Sequence, residues 1–528
     1  MRTHLDTLDI LALVGYAALL VGTGWWFSRR KQSTASDYFL AGKAMPAWAV
    51  AVSTAATAIS AATFVGVPDS AYSGDLTYLA TSVGSLLAIL VVAFAFIPAF
   101  YRANVTTVYG LLEQRLGPGA RTAAAIAFLV GRVFASGARV YIAAIPAAMI
   151  IWHDDPGASH ASHLLASIVL LTIVGILYTL IGGVRSVIWT DLAQTVVFVG
   201  AAAVAIVMLM SRFDAAPTEV WGALRDATTS AGHSKATIVS TSTNPSLPYT
   251  IWASVIGMTL LHLAAYGTDH DMAQRMLTCR TPAAGGRSAI AAVLMQVPLV
   301  AMFLAIGALL WVFHHRPELV APEFRSDAPP PTGGRAFISF ITTNGPAGLA
   351  GVTIAGLYAA ALSTMNSGLN AMGAAMYADI YLPLRSRLRP GSTLPRGSEV
   401  RVGRLFVVLA GLLVGGFACV CVWWQQRNAS TLIDLALGVM TFAYAGLLAV
   451  FLTAILTRRG NSRSAIAAII VGFVVVTALQ PSWMARWAPP ESALHGLRLA
   501  FPWQLTVGVV ISFLVCIAGK RRSDVPSD

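Results

Sequence analysis

The chain predicts an all-α polytopic membrane protein of about thirteen transmembrane helices, and three observations carry that fold class. Only 11% of its 528 residues are charged and 56% are hydrophobic, whereas soluble chains average roughly 25% charged residues. The apolar residues fall in blocks of roughly 20, the length of a helix that crosses a bilayer. The ~10-residue alternation that marks a membrane β-barrel is missing. Helices are then the spanning element, because lipid satisfies no backbone polar group.

The span-length rule places the spans at 8–28, 46–74, 78–101, 122–150, 163–183, 187–210, 249–270, 288–313, 347–379, 405–424, 433–456, 464–480 and 502–519. With the N-terminus outside, 23 lysines and arginines fall in inside loops and 10 in outside segments. That positive-inside bias accounts for the net charge of +12 without a nucleic-acid partner. It also puts the C-terminus in the cytoplasm. Cys279, Cys419, Cys421 and Cys516 lie in or beside spans and show neither a disulfide framework nor zinc spacing. Arg29-Arg30-Lys31 follows span one without a small-residue cleavage site, so that span reads as an anchor. Asn428-Ala429-Ser430 fits a glycosylation sequon, a three-residue match read as chance.

Span two carries Ser53, Thr54, Thr57, Ser60 and Thr63, followed by Gly66, Pro68 and Gly74. Hydroxyls, small residues and a late proline suit a discontinuous helix whose unwound backbone lines a site. Span four holds Arg132 and Arg139, seven residues apart on one face. A charge at mid-helix costs at least ~2.5–3.5 kcal/mol and belongs in the bundle. Arg139, nearer the centre, suits either an anionic substrate or a structural ion pair. Spans five and six meet at Gly182-Gly183-Val184-Arg185-Ser186-Val187-Ile188-Trp189-Thr190-Asp191-Leu192-Ala193-Gln194. There Asp191 is either a helix cap or a cation partner.

Span seven runs into Ala265-Tyr266-Gly267-Thr268-Asp269-His270-Asp271 and then Gln274-Arg275, a second expected interruption. His262 within it reads as a packed histidine rather than a proton relay. Interruptions five spans apart point to a transporter site between inverted repeats. In span nine, Ser363, Ser367 and Asn370 share a face, with Thr364 and Asn366 beside them. Such oxygens serve interhelical packing or a hard-cation site. The loop between spans eight and nine predicts a short outer helix over Phe337–Thr343. The 380–402 loop gathers Arg385, Arg387, Arg389, Arg396 and Arg401.

In this order and at these spacings the motifs resemble the sodium:solute symporter family, over Asp37 to about Arg459. They are Asp37-Tyr38-Phe39-Leu40-Ala41-Gly42, Ile59-Ser60-Ala61 with Phe64-Val65-Gly66, the Gly182–Gln194 run, Gln274-Arg275, and Ala361-Leu362-Ser363-Thr364-Met365-Asn366-Ser367. The resemblance implies a single transporter domain of the LeuT type, with inverted five-helix repeats at 46–211 and 248–456. Residues 1–45 are then a first helix and cytoplasmic loop, and 457–528 two C-terminal helices and a short tail. It implies a sodium ion held by the carbonyls of Ala56, Ile59 and Ala360 and the hydroxyls of Ser363 and Thr364. Five neutral oxygens suit a reversible monovalent site. In some members a second sodium lies on an aspartate and span-nine side chains, here Asp191, Asn366 and Ser367. Substrate is expected at mid-membrane, near Ser60, Thr63, Arg139 and Asp269.

Two departures narrow the substrate. Ala58 stands where proline-type members carry an acid, and Ala62-Thr63 where sugar members carry Glu-Gln. Arg139 matches an arginine that contacts a carboxylate in sialic-acid-type relatives. The expected function is sodium-coupled symport of a small organic anion, of sialic-acid or monocarboxylate type, across the plasma membrane by alternating access. Sodium is the co-transported ion, and no nucleic acid or obligate protein partner is expected. Sugar, amino-acid or vitamin uptake, and proton coupling through Asp191, Asp269 or His262, are the alternatives. A channel wants a continuous polar pore, a membrane sensor wants a signalling domain beyond the short tail, and no HExxH or GxSxG motif supports an enzyme.

Overall fold

The computed structural model describes residues 6–28, 35–152, 160–229, 232–325, 330, 336–344, 348–389, 398–425, 432–487, 492 and 497–520. The sequon and Arg396 lie outside them. Among the described residues the chain is helical and contains no β-strand. Its main helices are α1 (Thr7–Ser28), α2 (Ala47–Ala58), α3 (Ala61–Ser73) and α4 (Thr77–Arg102). After these come α5 (Pro118–Ile151), α6 (Ala161–Leu180) and α7 (Gly183–Met210). The second half holds α8 (Ile251–Gly267), α9 (His270–Leu277), α10 (Pro282–His315) and α11 (Leu349–Leu388). The chain ends with α12 (Ser398–Gln425), α13 (Leu432–Leu456), α14 (Ser462–Ala478) and α15 (Phe501–Ile517). Among the described residues eight helices are long and apolar enough to cross a membrane, and two bent pairs each add a span. The expected spans one, twelve and thirteen correspond to the shorter apolar helices α1, α14 and α15.

Both expected interruptions are present. Span two splits into α2 and α3, bent by 58°. Ile59 (φ −85°, ψ 101°) and Ser60 (φ −106°, ψ 178°) are extended between them. The Ser60 N–H turns to Thr63 Oγ1 at 3.4 Å rather than back to the Ala56 carbonyl. Span seven splits into α8 and α9, bent by 56°. Asp269 caps α9 by accepting the Asp271 N–H at 2.9 Å, which satisfies one orphan donor of the new helix. The short helix expected over Phe337–Thr343 spans Ala336–Asn344.

The sequence is less informative at the junction of α6 and α7. The expected loop contracts to a turn at Gly183, whose φ of 56° and ψ of −179° suit glycine alone. Close packing replaces the hydrophobic drive that lipid cannot supply. A Cβ on Gly307 of α10 would lie 2.0 Å from the Pro68 carbonyl of α3, so only glycine lets the two helices meet. At the far end of α11, Arg121 of α5 clamps Asp379 through Nε at 2.7 Å and Glu113 through Nη1 at 2.6 Å.

The 211–247 segment is tied to the broken span two by Lys235. Its ammonium donates to the carbonyls of Tyr72 at 3.0 Å and Gly74 at 2.5 Å, and lies 5.0 Å from the Trp311 ring. Burial pushes its pKa from 10.5 down to about 8, against the opposing pull of Asp75. The folded chain therefore releases this proton more readily than the unfolded one. Stability from this group rises as pH climbs from about 8 to 10.5. The melting temperature of the parent relative to Lys235→Gln is expected to increase from pH 7 to pH 10, and a flat difference would refute the effect.

Candidate functional site

The two breaks face a central cavity. Ser60, Thr63, Arg139 and Asp269, the residues expected at the substrate, all line it, and so does Thr364. His262 lines it as well, with its ring 6.1 Å from that of Tyr266 and Nε2 without a hydrogen bond. The N-terminus of α3 begins at this cavity, and its unpaired N–H groups and dipole favour an anion. Arg139 adds a full positive charge. Its Nε donates to Ser60 Oγ at 3.3 Å, Nη1 to the Ala135 carbonyl at 3.1 Å and Nη2 to Met440 Sδ at 3.5 Å. It pairs with no carboxylate among the described residues.

The C-terminal end of α2 meets the middle of α11. Thr364 Oγ1 donates to the carbonyls of Thr57 and Ala360, both at 3.1 Å. Ala360, Ser363 and Thr364 are thereby held against the break at Ala56–Ile59, and all five residues are buried. The helix end contributes carbonyls that lack helical donors, the oxygen type and polarity that suit a small hard cation.

Beneath this point lies a buried charge network whose extent the sequence did not reveal. Asp191 accepts hydrogen bonds from Ser53 at 2.5 Å, Ser363 at 2.6 Å and Arg275 Nη2 at 3.3 Å. Arg275 Nε donates to Ser53 Oγ at 3.0 Å, and Nη1 reaches Asp271 Oδ1 at 2.7 Å. Arg132 Nη2 donates to Asp271 Oδ2, and Nη1 to Asp269 Oδ2 at 3.2 Å. Tyr444 of α13 donates to that same Asp269 oxygen at 2.6 Å. All five charged groups are at most 3% exposed. Each costs several kcal/mol to desolvate, so the pairs persist only because every member has partners.

The network sorts the expected residues. Asp191 is no helix cap; it sits inside α7 and binds Ser53, Ser363 and Arg275. Asn366 and Ser367 make no hydrogen bond to Asp191 among the described residues. Asn366 Oδ1 accepts from Thr179 at 3.1 Å, while Ser367 donates to Asp271 at 3.3 Å. Gln194 turns instead to the Tyr16 hydroxyl of α1 at 3.4 Å. Both span-four arginines line the cavity, but Arg132 is held in ion pairs whereas the partners of Arg139 are neutral. Sequence reasoning missed Ser53, Asp271, Arg275 and Tyr444 as partners. The i, i+4 spacing of Asp271 and Arg275 was the available signal.

Comparison with known proteins gives the family. The model of the sodium:solute symporter family matches residues 38–472. The chain is 30% identical over 519 residues to the sodium/sialic acid symporter of Proteus mirabilis, covering 97% of this chain and 94% of that relative. It superposes on the substrate-bound, outward-open structure of a Na+-coupled sialic acid symporter with a TM-score of 0.76 at 25% identity, over 97% of each chain. A nucleobase-cation-symport-1 family transporter shares the fold alone, with a TM-score of 0.53 at 14% identity. The folds of these neighbours are LeuT-like. The chain belongs to the sodium:solute symporter family, and sodium is the ion that drives it.

Proposed function

We propose that the chain imports a small carboxylate-bearing solute of sialic-acid type together with sodium. The observation that carries this reading is Arg139, a guanidinium on the cavity wall that pairs with no carboxylate among the described residues. A planar guanidinium matches a carboxylate through two parallel hydrogen bonds, and the N-terminus of α3 adds to the same positive field. The similarity to sialic acid symporters over nearly the whole chain supports the same substrate class. A carboxylate on Arg139 places the rest of the solute against Ser60, Thr63 and Asp269, whose oxygens suit hydroxyl and amide groups.

Sodium binds between α2 and α11, on the carbonyls of Ala56, Ile59 and Ala360 and the hydroxyls of Ser363 and Thr364. The N-terminus lies outside and the C-terminus in the cytoplasm, as the distribution of lysine and arginine favours. Thirteen spans then form two inverted repeats, 46–211 and 248–456, flanked by 1–45 and 457–528. Sodium favours the outward-open form through its differential affinity for that form, and the loaded bundle rocks to release both cargoes inward.

The test is uptake of N-acetylneuraminate into proteoliposomes under imposed sodium or proton gradients, with lactate and glucose as competitors. Uptake is expected to follow sodium and to be blocked by carboxylate solutes only. Transport driven by protons alone would defeat the coupling, and efficient glucose competition would defeat the substrate class. Ser363→Ala combined with Thr364→Ala is expected to abolish the sodium dependence, and unchanged sodium dependence would refute the site.

A further inference from the structure

We propose that residues 38–45, the segment that leads into α2, form the cytoplasmic latch of the transport cycle: they travel with α2 and α9, and the Phe39 ring lets go of α11 when the cargo leaves inward. The inference rests on the sodium site between α2 and α11 and on the orientation proposed above. It gives a role to the Tyr38-Phe39-Leu40-Ala41-Gly42 run and to Gln274, which the sodium and substrate sites leave unused.

Hydrogen bonds stitch α9 to α2 and to the segment before it. Gln274 Nε2 donates to the Phe39 carbonyl at 2.7 Å, the Met45 N–H to the Thr278 carbonyl at 3.1 Å, and Arg275 Nε to Ser53 Oγ at 3.0 Å. The inner halves of the two broken spans are thereby one body. Phe39 is also held from the other side. Its ring stacks on Tyr377 of α11 with centroids 6.1 Å apart, and a Cβ on Gly403 of α12 would lie 3.1 Å from its Cζ. Tyr38 and Phe39 pack there with Ala374, Tyr377 and Ala378, in an apolar cluster separate from that of Ala41, Met45, Ala49 and Val50. Where the chain passes from one cluster to the other, Ala41, Gly42 and Lys43 take φ of 49°, 63° and 54°. Non-glycine residues hold this left-handed conformation only where their surroundings impose it, so the turn is the natural hinge.

A sodium ion between α2 and α11 leaves inward only if the inner end of α2 parts from α11. The stitches to α9 resist parting: Gln274 and Arg275 are 2% and 1% exposed, and a partner stranded beside them loses its hydrogen bond without water to replace it. The seat on α11 is apolar, so its two sides separate without orphaning a polar group. Tyr377 lies in the π-helical turn Met376–Tyr381, a local widening of α11 of the kind that recurs at functional positions. Phe39 and Tyr377 both line a chamber with Thr107, Gln114 and Glu399, whose polar walls admit water as the rings part.

Sodium-driven uptake of N-acetylneuraminate by cysteine-bridged full-length variants in proteoliposomes tests this. Phe39→Cys with Tyr377→Cys, bridged by a short bifunctional methanethiosulfonate, is expected to stop uptake, with rates restored on reduction and sodium binding retained throughout. Met45→Cys with Thr278→Cys, bridged in the same way, is expected to leave uptake equal to that of the identically treated parent. Uptake that survives the first bridge, or stops at the second, would overturn the latch while leaving sodium-coupled symport intact. An unbridged parent whose uptake ignores sodium would instead overturn the function beneath it, and the inference with it. Phe39→Ala needs no bridge and is expected to weaken sodium binding about tenfold, because the freed chain populates the inward form and sodium must draw it back. A sodium affinity equal to that of the parent would likewise overturn the proposal.

Discussion

Arg139→Ala is expected to cut uptake of a carboxylate solute by about 100-fold or more while leaving sodium binding intact. Removing one partner of a desolvated charge pair costs roughly 2–5 kcal/mol, and a 100-fold loss corresponds to about 2.7 kcal/mol. Arg139 is suited to this test because its protein contacts are neutral: a serine oxygen, a backbone carbonyl and a thioether. Truncation strands no carboxylate of the chain, so folding should survive and the loss should appear in the apparent KM for substrate. Arg139→Lys should restore charge but not the two-pronged geometry, giving intermediate uptake. Wild-type rates from Arg139→Ala, or equal loss for an uncharged solute, would remove the carboxylate from the cavity.

The second large effect is expected at Asp271. Its carboxylate is shared by Arg132, Arg275 and Ser367, so Asp271→Ala deprives two buried guanidiniums at once. Breaking a buried ion pair from one side costs about 3–5 kcal/mol, because the charge left behind has no counter-ion. The detergent-purified variant should melt well below the parent, whereas Ser367→Ala, which removes one 3.3 Å hydrogen bond, should shift it little. An Asp271→Ala protein that melts with the parent would show that the network adds no stability.

The sequence makes the breaks legible and the network obscure, and the reason is physical. A broken helix must replace its lost backbone hydrogen bonds locally, so the hydroxyls and small residues around Ile59-Ser60 and Thr268-Asp269 advertise it within one stretch of chain. The same locality makes the Ala360–Thr364 face readable. An ion pair between distant helices leaves no such trace. Arg132 and Arg139 share a face and a residue type, yet only the fold brings Asp269 and Asp271 to Arg132 and leaves Arg139 with neutral partners. Asp191 was ambiguous for the same reason: its partners lie 84 to 172 positions away in the chain. Gly183 illustrates the opposite error, where a stretch that reads as a loop is closed by one left-handed residue.

The matched carboxylates and guanidiniums also bear on how the cycle meets the membrane potential. A displaced elementary charge gains or loses about 2.3 kcal/mol per 100 mV across the membrane. Three carboxylates facing three guanidiniums present mainly dipoles to that field, so moving this cluster with the unloaded bundle draws little work from it. The membrane potential then acts on the cycle chiefly through the charge of the sodium and solute it carries.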